Sequence, residues 1–253
     1  MKISIITVTY NCAKTLENTI KSVLSQDYPD IEYVVIDGGS NDGTLEILSH
    51  YKNRINVLIS EPDKGIYDAM NKGVKMATGE VLGLLNADDF FASNHIISEV
   101  AGAFKREPGL DGVHGDLYYV DPVHTDKVIR YWKTKEYRPG AFSRGWHPAH
   151  PTLYLKKEVF LRSGGFNTSF TLSADFELML RLYERYHIYT RHLNLVMVKM
   201  RTGGATSKNL QVVFQGIKQC RRAFKINHLY YPVFYPVMRI FPKLFQYFIR
   251  QAK

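Results

Sequence analysis

The residues best placed to do chemistry are carboxylates that follow apolar runs. Leu84-Leu85 leads into Asn86-Ala87-Asp88-Asp89. Two adjacent carboxylates delivered this way are electrostatically costly unless a cation or hydrogen-bond donors meet them. Asp88, with Asn86 and a diphosphate, offers the oxygen ligands that a hard divalent ion takes while keeping several waters. The other reading is an N-capping pair before a helix near Ser93. A second carboxylate, Asp175, opens Asp175-Phe176-Glu177-Leu178-Met179-Leu180-Arg181. Near the positive end of a helix it should be charged, and it could act as general base on a hydroxyl. It could equally do no more than satisfy the backbone amides there.

Two further runs have the make-up of ligand loops. Thr9-Tyr10-Asn11 follows one apolar run, and Asp37-Gly38-Gly39-Ser40-Asn41-Asp42-Gly43-Thr44 follows another. Three glycines and two aspartates allow a tight turn in which side chains approach a ligand. Asp37 could accept hydrogen bonds from a nucleobase or ribose, and Tyr10 offers a stacking face. The competing reading is a well-capped turn with Asp42 as the helix N-cap. In Glu61-Pro62-Asp63-Lys64-Gly65-Ile66-Tyr67-Asp68-Ala69-Met70-Asn71-Lys72-Gly73, Asp68 and Asn71 are three apart and share a helix face. Ordinary capping and a solvated surface would also explain them.

These clusters need elements that bring them to one place. Ile3–Thr9, Ile31–Ile36, Asn56–Ser60 and Val81–Leu85 read as strands, and Thr15–Gln26, Thr44–Tyr51 and Ile66–Ala77 as helices between them. The alternation predicts an α/β fold with a doubly wound, mostly parallel, Rossmann-like sheet. Ligands then bind beyond the carboxyl ends of the strands, where every one of these clusters falls. Further on, Gly112–Val120 and Lys127–Lys133 suggest a hairpin, residues 137–151 a loop lining a site, and Lys157–Ser163 and Asp175–Tyr186 helices. Past Arg201-Thr202-Gly203-Gly204, an amphipathic segment carries Leu210, Val213, Phe214, Ile217 and Phe224 on one face.

The 253 residues, 45% hydrophobic and 23% charged, suffice for one large α/β domain or one domain with an appendage. Cys12 and Cys220 are the only cysteines, so a disulfide framework is not expected and a reducing compartment is. The opening apolar run is too short for a secretory signal, and no stretch of about 18 apolar residues is uninterrupted. The net charge of +9 is unevenly spread: from Arg185 onward there are 13 Lys+Arg and no acid, leaving a net −4 for the preceding residues. That tail seeks anionic partners. Its aromatics mix with Val, Ile, Leu and Pro, which suits lipid and argues against nucleic acid. Its three prolines and two internal cations argue against a spanning helix.

The four clusters, in order and spacing, resemble the inverting family 2 glycosyltransferases of the GT-A fold, which build bacterial capsule, O-antigen and exopolysaccharide chains. The resemblance runs from Met1 to about Ser207. It implies that Thr9, Tyr10, Asn11, Asp37, Gly39, Asp42, Asp68, Asn71, Asn86 and Ala87 hold a nucleotide sugar, usually a uridine diphosphate sugar. The family's Asp-x-Asp metal motif has Asn86 at its first position here, which makes Asp88 the main ligand for Mg²⁺ or Mn²⁺. Asp175 matches the catalytic base, His150 a histidine near the donor phosphates, and Arg201 with Gly203-Gly204 a segment closing over the donor. The implied organisation is a catalytic domain over 1–206, with nucleotide-sugar binding in 1–110 and an acceptor region in 111–206, then a helical basic tail over 207–253. The implied acceptor is a polyprenyl-diphosphate-linked saccharide. The tail would hold the enzyme peripherally on the inner face of the cytoplasmic membrane. A sugar-1-phosphate nucleotidyltransferase is the nearest enzyme alternative, but Thr9-Tyr10-Asn11-Cys12-Ala13 lacks the glycines that cradle a triphosphate. A donor-binding protein without turnover would not need Asp88 and Asp175.

Overall fold

The computed structural model describes residues 1–203 and 210–246. β1 (Ile3–Thr9) and β2 (Ile31–Asp37) pair in parallel, flanked by β3 (Val57–Ser60) on β2 and β4 (Val81–Leu84) on β1. α1 (Leu16–Leu24), α2 (Thr44–Tyr51) and α3 (Ile66–Met76) connect them. Beyond lie β5 (Asp89–Phe91), α4 (Ile96–Arg106), β6 (Gly112–Val120), β7 (Val128–Trp132), β8 (Tyr154–Lys156) and α5 (Lys157–Arg162). α6 (Ala174–Leu180) continues into a π-helical turn at Arg181–Arg185, followed by β9 (Thr190–Arg201), α7 (Leu210–Ile226) and α8 (Tyr235–Phe245).

The nine-stranded sheet runs β3-β2-β1-β4-β8-β6-β9-β5, with β7 paired to β6. Strands β1, β2, β3, β4, β6 and β9 point one way, and β5, β7 and β8 oppose them. This is the mostly parallel α/β sheet that the sequence predicts. The sequence reading, however, passed over β5, β8 and β9. Two of these are three-residue strands, and β9 interleaves charged with apolar residues because it is only half-buried.

Alternation along the strands divides the core. Ile6, Val8, Val34 and Ile36 face α3, α6 and α7, whereas Ile3, Ile5, Tyr33 and Val35 face α1, α2 and α4. Covering both faces explains why these strands are continuously apolar. The first of these cores also takes Cys220, Ala223 and Phe224 of α7 and Tyr235 of α8. The expected break after residue 206 is therefore not a packing boundary. Phe214, which the sequence groups with Phe224 on one apolar face, is exposed while Phe224 is buried. Gly204, and residues 207–209 and 247–253 of the expected tail, lie outside the described residues. Among the described residues, no helix is long and apolar enough to cross a membrane.

Candidate active site

β1 and β2 end in register, with Thr9 opposite Asp37, so their loops share one edge of the sheet. Asp37 is fully buried. Its carboxylate accepts from the Gly39 and Ser40 amides at 3.0 Å, from Ser40 Oγ at 2.5 Å and from Ser60 Oγ at 2.7 Å. The sequence reading gave Asp37 to a base or ribose. The structure occupies both oxygens with the turn itself, so Asp37 shapes the loop and its Gly39 corner (φ 82°). Asn11, in the left-handed region at φ 52°, donates its amide to Ser40 Oγ and accepts from the Asn41 amide. Asp42 accepts from the Ala13 amide and from both the amide and the hydroxyl of Thr44. These bonds knit the β1 and β2 loops together, and Thr9 lies buried beneath them.

Tyr10 is left as the exposed face of this edge. A Cβ on Gly38 would lie 2.6 Å from Asp63 Oδ2 and 3.3 Å from Tyr10 Cδ2, so the Tyr10 ring and the Asp63 carboxylate both lie close over this glycine. Asp63, which the sequence reading did not select, is tied by one oxygen to the Gly65 amide at 2.7 Å. Asp68 accepts from the Lys64 amide at 3.0 Å and lies 3.8 Å from Lys72 Nζ. Asn71 differs from expectation. Its amide group donates to the Phe166 carbonyl and accepts from the Phe166 amide, both at 2.9 Å. Both of its polar atoms are thereby spent on docking the 160s loop to α3.

At the end of β4, Asn86 Nδ2 donates to Asp89 Oδ2 at 3.2 Å, and the buried Ala87 carbonyl accepts from Thr19 Oγ1. Asp89 is fully buried with Oδ1 unpartnered; burial pushes its carboxyl well up, and the Asp88 charge adds to that. Burial also raises Asp88, which is half-buried. The Arg201 guanidinium, at the end of β9, donates to the Asp88 carbonyl at 2.5 Å and to Asn18 Oδ1 at 3.1 Å, and stands 4.9 Å over the Phe90 ring. The half-buried Asp88 carboxylate and the Asn86 amide oxygen are oxygen donors of the kind a hard divalent cation takes, while Asp89 is sealed beneath them; among the described residues no cluster of three or more His, Cys, Asp or Glu could hold a metal by itself.

Asp175 sits in the first turn of α6, half-buried, and accepts from Tyr67 Oη of α3 at 3.1 Å. Burial first, and the Asp175 charge second, push the Tyr67 phenol far up, so Tyr67 stays a proton donor. His150 lies beside them: burial lowers its imidazole and the Asp175 charge opposes this. Phe166 holds both neighbours, its ring 5.6 Å from Tyr67 and 5.7 Å from His150. Behind the base, buried Glu177 pairs with Arg181 at 2.9 Å and accepts from Asn227 Nδ2 at 2.9 Å, while Arg181 also donates to the Ser163 and Gly165 carbonyls. This fully partnered network fixes the angle of α6. Tyr67 was quoted within its motif but given no role in the sequence reading. Its partner is 108 residues away, and no local pattern reveals that pairing.

Loop clusters at the strand ends, a carboxylate pair after β4 and a helix-borne carboxylate held by Tyr67 make up the candidate site. The chain belongs to glycosyl transferase family 2, whose model matches residues 4–166. It is 28% identical over 211 residues to the PGL/p-HBAD biosynthesis glycosyltransferase of Mycobacterium bovis, covering 82% of this chain and 79% of that one. Its fold is similar to S. aureus TarS 1-349 in complex with UDP, with a TM-score of 0.66 at 18% identity, covering 94% of this chain and 68% of that one. It is also similar to the mannosyltransferase PcManGT of Pyrobaculum calidifontis in complex with GDP-Man and Mn²⁺, with a TM-score of 0.63 at 21% identity, covering 90% and 68%. The protein is a glycosyltransferase of the GT-A fold. The family match stops short of Asp175 and Arg201, and it is the tertiary structure that brings both beside the strand ends.

Proposed function

We propose that this enzyme transfers one hexosyl or N-acetylhexosaminyl unit, with inversion, from a nucleoside-diphosphate sugar to a lipid-linked saccharide. UDP-sugars are the leading donors, and the products are capsule, O-antigen or exopolysaccharide chains. The observation that carries the reading is the Asp175 carboxylate, held by Tyr67 across from the strand-end loops. Asp175 takes the proton of the acceptor hydroxyl. The hydroxyl oxygen then forms a bond to C1 of the donor sugar from the face opposite the diphosphate. The C1–oxygen bond to the diphosphate breaks, and its electron pair leaves with the nucleoside diphosphate.

Tyr10 would offer its ring to the base, and the Asp63 and Asp68 carboxylates would accept from ribose hydroxyls. Asp88, with Asn86, would hold Mg²⁺ or Mn²⁺, whose charge neutralises the departing diphosphate. Arg201, beside Asp88, and neutral His150, beside Asp175, would add hydrogen-bond donors around the donor, the kind of preorganised electrostatics that dominates such steps. Support for the donor class comes from TarS, solved with UDP and with UDP-GlcNAc, and support for a metal from PcManGT, solved with Mn²⁺. A polyprenyl-diphosphate acceptor would place the reaction at the inner face of the cytoplasmic membrane.

The test is a panel of nucleotide sugars with a lipid-linked acceptor, reading nucleoside diphosphate release, on the wild type and on Asp175→Asn. The variant keeps size and hydrogen-bonding shape but cannot take the proton. Its transfer should fall about 10²-fold or more while donor affinity stays within a few-fold. Loss of donor binding along with transfer would make Asp175 structural, and no release from any donor would overturn the reading.

A further inference from the structure

α7 has two unlike faces. Cys220, Ala223 and Phe224 enter the core, whereas Phe214, Lys218, Arg221 and Lys225 form one outward stripe at i, i+4, i+7 and i+11. Lys218, Arg221, Arg222 and Lys225 line a groove of about 520 Å³ whose far wall is Leu229 and Tyr231. Arg222 is committed to Ser169, donating to its carbonyl at 3.0 Å and to Oγ at 2.8 Å. Among the described residues, none of the other three cations makes an ion pair. The chain holds no Asp or Glu after Glu184 to supply one locally.

Large exposed apolar side chains follow directly after the groove's Leu229–Tyr231 wall. Tyr230, Val233, Phe234, Val237 and Phe241 are each between 57 and 82% exposed. Val237 and Phe241, four apart, lie on one side of α8, and Tyr230, Val233 and Phe234 lie in the loop leading to it. Meanwhile Tyr231 and Tyr235, on the opposite side, are packed against Phe224 at 5.5 and 5.2 Å. The core has therefore already taken the aromatics it needs. Tyr230, Val233, Phe234 and Val237 are left exposed, a run of large apolar side chains of the kind that marks an interaction surface.

Charge and shape choose the occupant. A second copy meeting this face about a two-fold axis would set one cationic stripe against the same stripe. Nucleic acid would use the cations and could stack on Tyr230 or Phe234, but Val233 and Val237 would gain nothing from phosphates or base edges. A bilayer surface uses both: phosphates for the cations, and the head-group and acyl boundary for the apolar side chains.

We propose that the face made by the outward stripe of α7 and residues 230–241 docks the enzyme on a bilayer rich in anionic phospholipid. Lys218, Arg221 and Lys225 lie at the lipid phosphates, and Val233, Phe234 and Val237 enter the interface. This deepens the reading of a lipid-linked acceptor. Vesicle binding is measured with neither donor nor acceptor present, so its failure would leave the transfer chemistry untouched.

The experiment is co-sedimentation of the full chain with vesicles of phosphatidylglycerol and phosphatidylcholine at 1:1, and with phosphatidylcholine alone. Two variants are compared, Lys218→Glu with Arg221→Glu and Phe234→Ser with Val237→Ser; their melting temperatures should match the wild type because every altered side chain is exposed. The wild type should bind the anionic vesicles at least about tenfold more tightly than the neutral ones. The charge variant should lose about tenfold or more, and the apolar variant should lose the binding that survives in 0.5 M salt, a condition chosen at roughly three times physiological ionic strength. No binding to anionic vesicles, or unchanged binding by either variant, would overturn the proposal. Tighter binding to a single-stranded oligonucleotide than to vesicles, or a dimer abolished by the apolar variant, would overturn it in favour of nucleic acid or self-association.

Discussion

Adjacent carboxylates at the end of β4 meet opposite surroundings. Asp89 is sealed under Thr19 and Asn86, and burial favours its protonated form, while Asp88 reaches the surface of the site. Among the described residues no neighbouring side chain donates to the Asp88 carboxylate, and Arg201 binds only its backbone carbonyl. A cation is then the natural partner for Asp88, and Asp88→Ala should abolish Mn²⁺-dependent donor binding. Calorimetric titration of the nucleotide with and without Mn²⁺ measures this; near-normal affinity of the variant at low Mn²⁺ would exclude Asp88 as the ligand. The sequence alone singled out Asp88 and Asp175 because each follows a structural punctuation, a strand end or a helix start. It could not rank their neighbours. Asp37 and Asn71 sit in runs just as polar, yet the fold spends them on their own loop and on Phe166. Tyr67 and Asp63 looked ordinary until α3 met α6 and the Gly38 turn brought Tyr10 over.

At the level of elements, the seam between β6 and β9 carries a buried polar cluster that no motif announced. His192 Nε2 donates to Asp116 at 3.0 Å, Tyr131 Oη donates to Asp116 at 2.5 Å, and His114 meets the Lys135 carbonyl and Tyr183 Oη. Burial pushes the His114 imidazole down to about 4, with the Lys135 carbonyl and Asp116 opposing and His192 assisting. Its folded value thus lies below the 6.5 of the open chain, and protons favour unfolding. Stability from this group is complete above pH 6.5 and is lost as pH falls toward 4, by about 2 kcal/mol at pH 5. Urea unfolding at pH 7 and pH 5 should show that loss in the wild type and a correspondingly smaller one in His114→Phe. Identical losses in both proteins would exonerate His114. The strands of this seam were half legible. β6 and β7 were read as a hairpin from their turn residues, whereas β9 was missed because its partner strand lies some 80 residues earlier and its alternation is broken by Asn194 and Lys199.

The whole molecule raises the question of where the catalytic body ends. Charge and composition change sharply after β9, which is why the sequence divides there, but apolar packing ignores that change. Tyr235 is almost fully buried, 5.2 Å from Phe224 and 6.3 Å from Phe176, the residue next to Asp175. Arg239, one turn on, lies 4.9 Å from the same Phe176 ring. Asn227 completes the Glu177–Arg181 pair from the other side. The C-terminal helices therefore brace the helix that carries the base, and their outer faces alone are free to differ in character. Tyr235→Ala opens a large cavity against α6 and should cost about 3–5 kcal/mol, the usual scale for aromatic-to-alanine changes in a core. In a chain of this length that corresponds to a fall of roughly 10 °C in melting temperature. Phe234→Ala, one residue earlier and exposed, should stay within about 0.5 kcal/mol of the wild type. Thermal melts of the two variants side by side decide the matter. If Tyr235→Ala melts within about 2 °C of Phe234→Ala, a gap well below that expected for a lost core aromatic, the region from 207 onward is an appendage and the core assignment fails. A large gap between them means that removing the tail removes part of the active site's support, so a tail truncation could not separate membrane binding from folding.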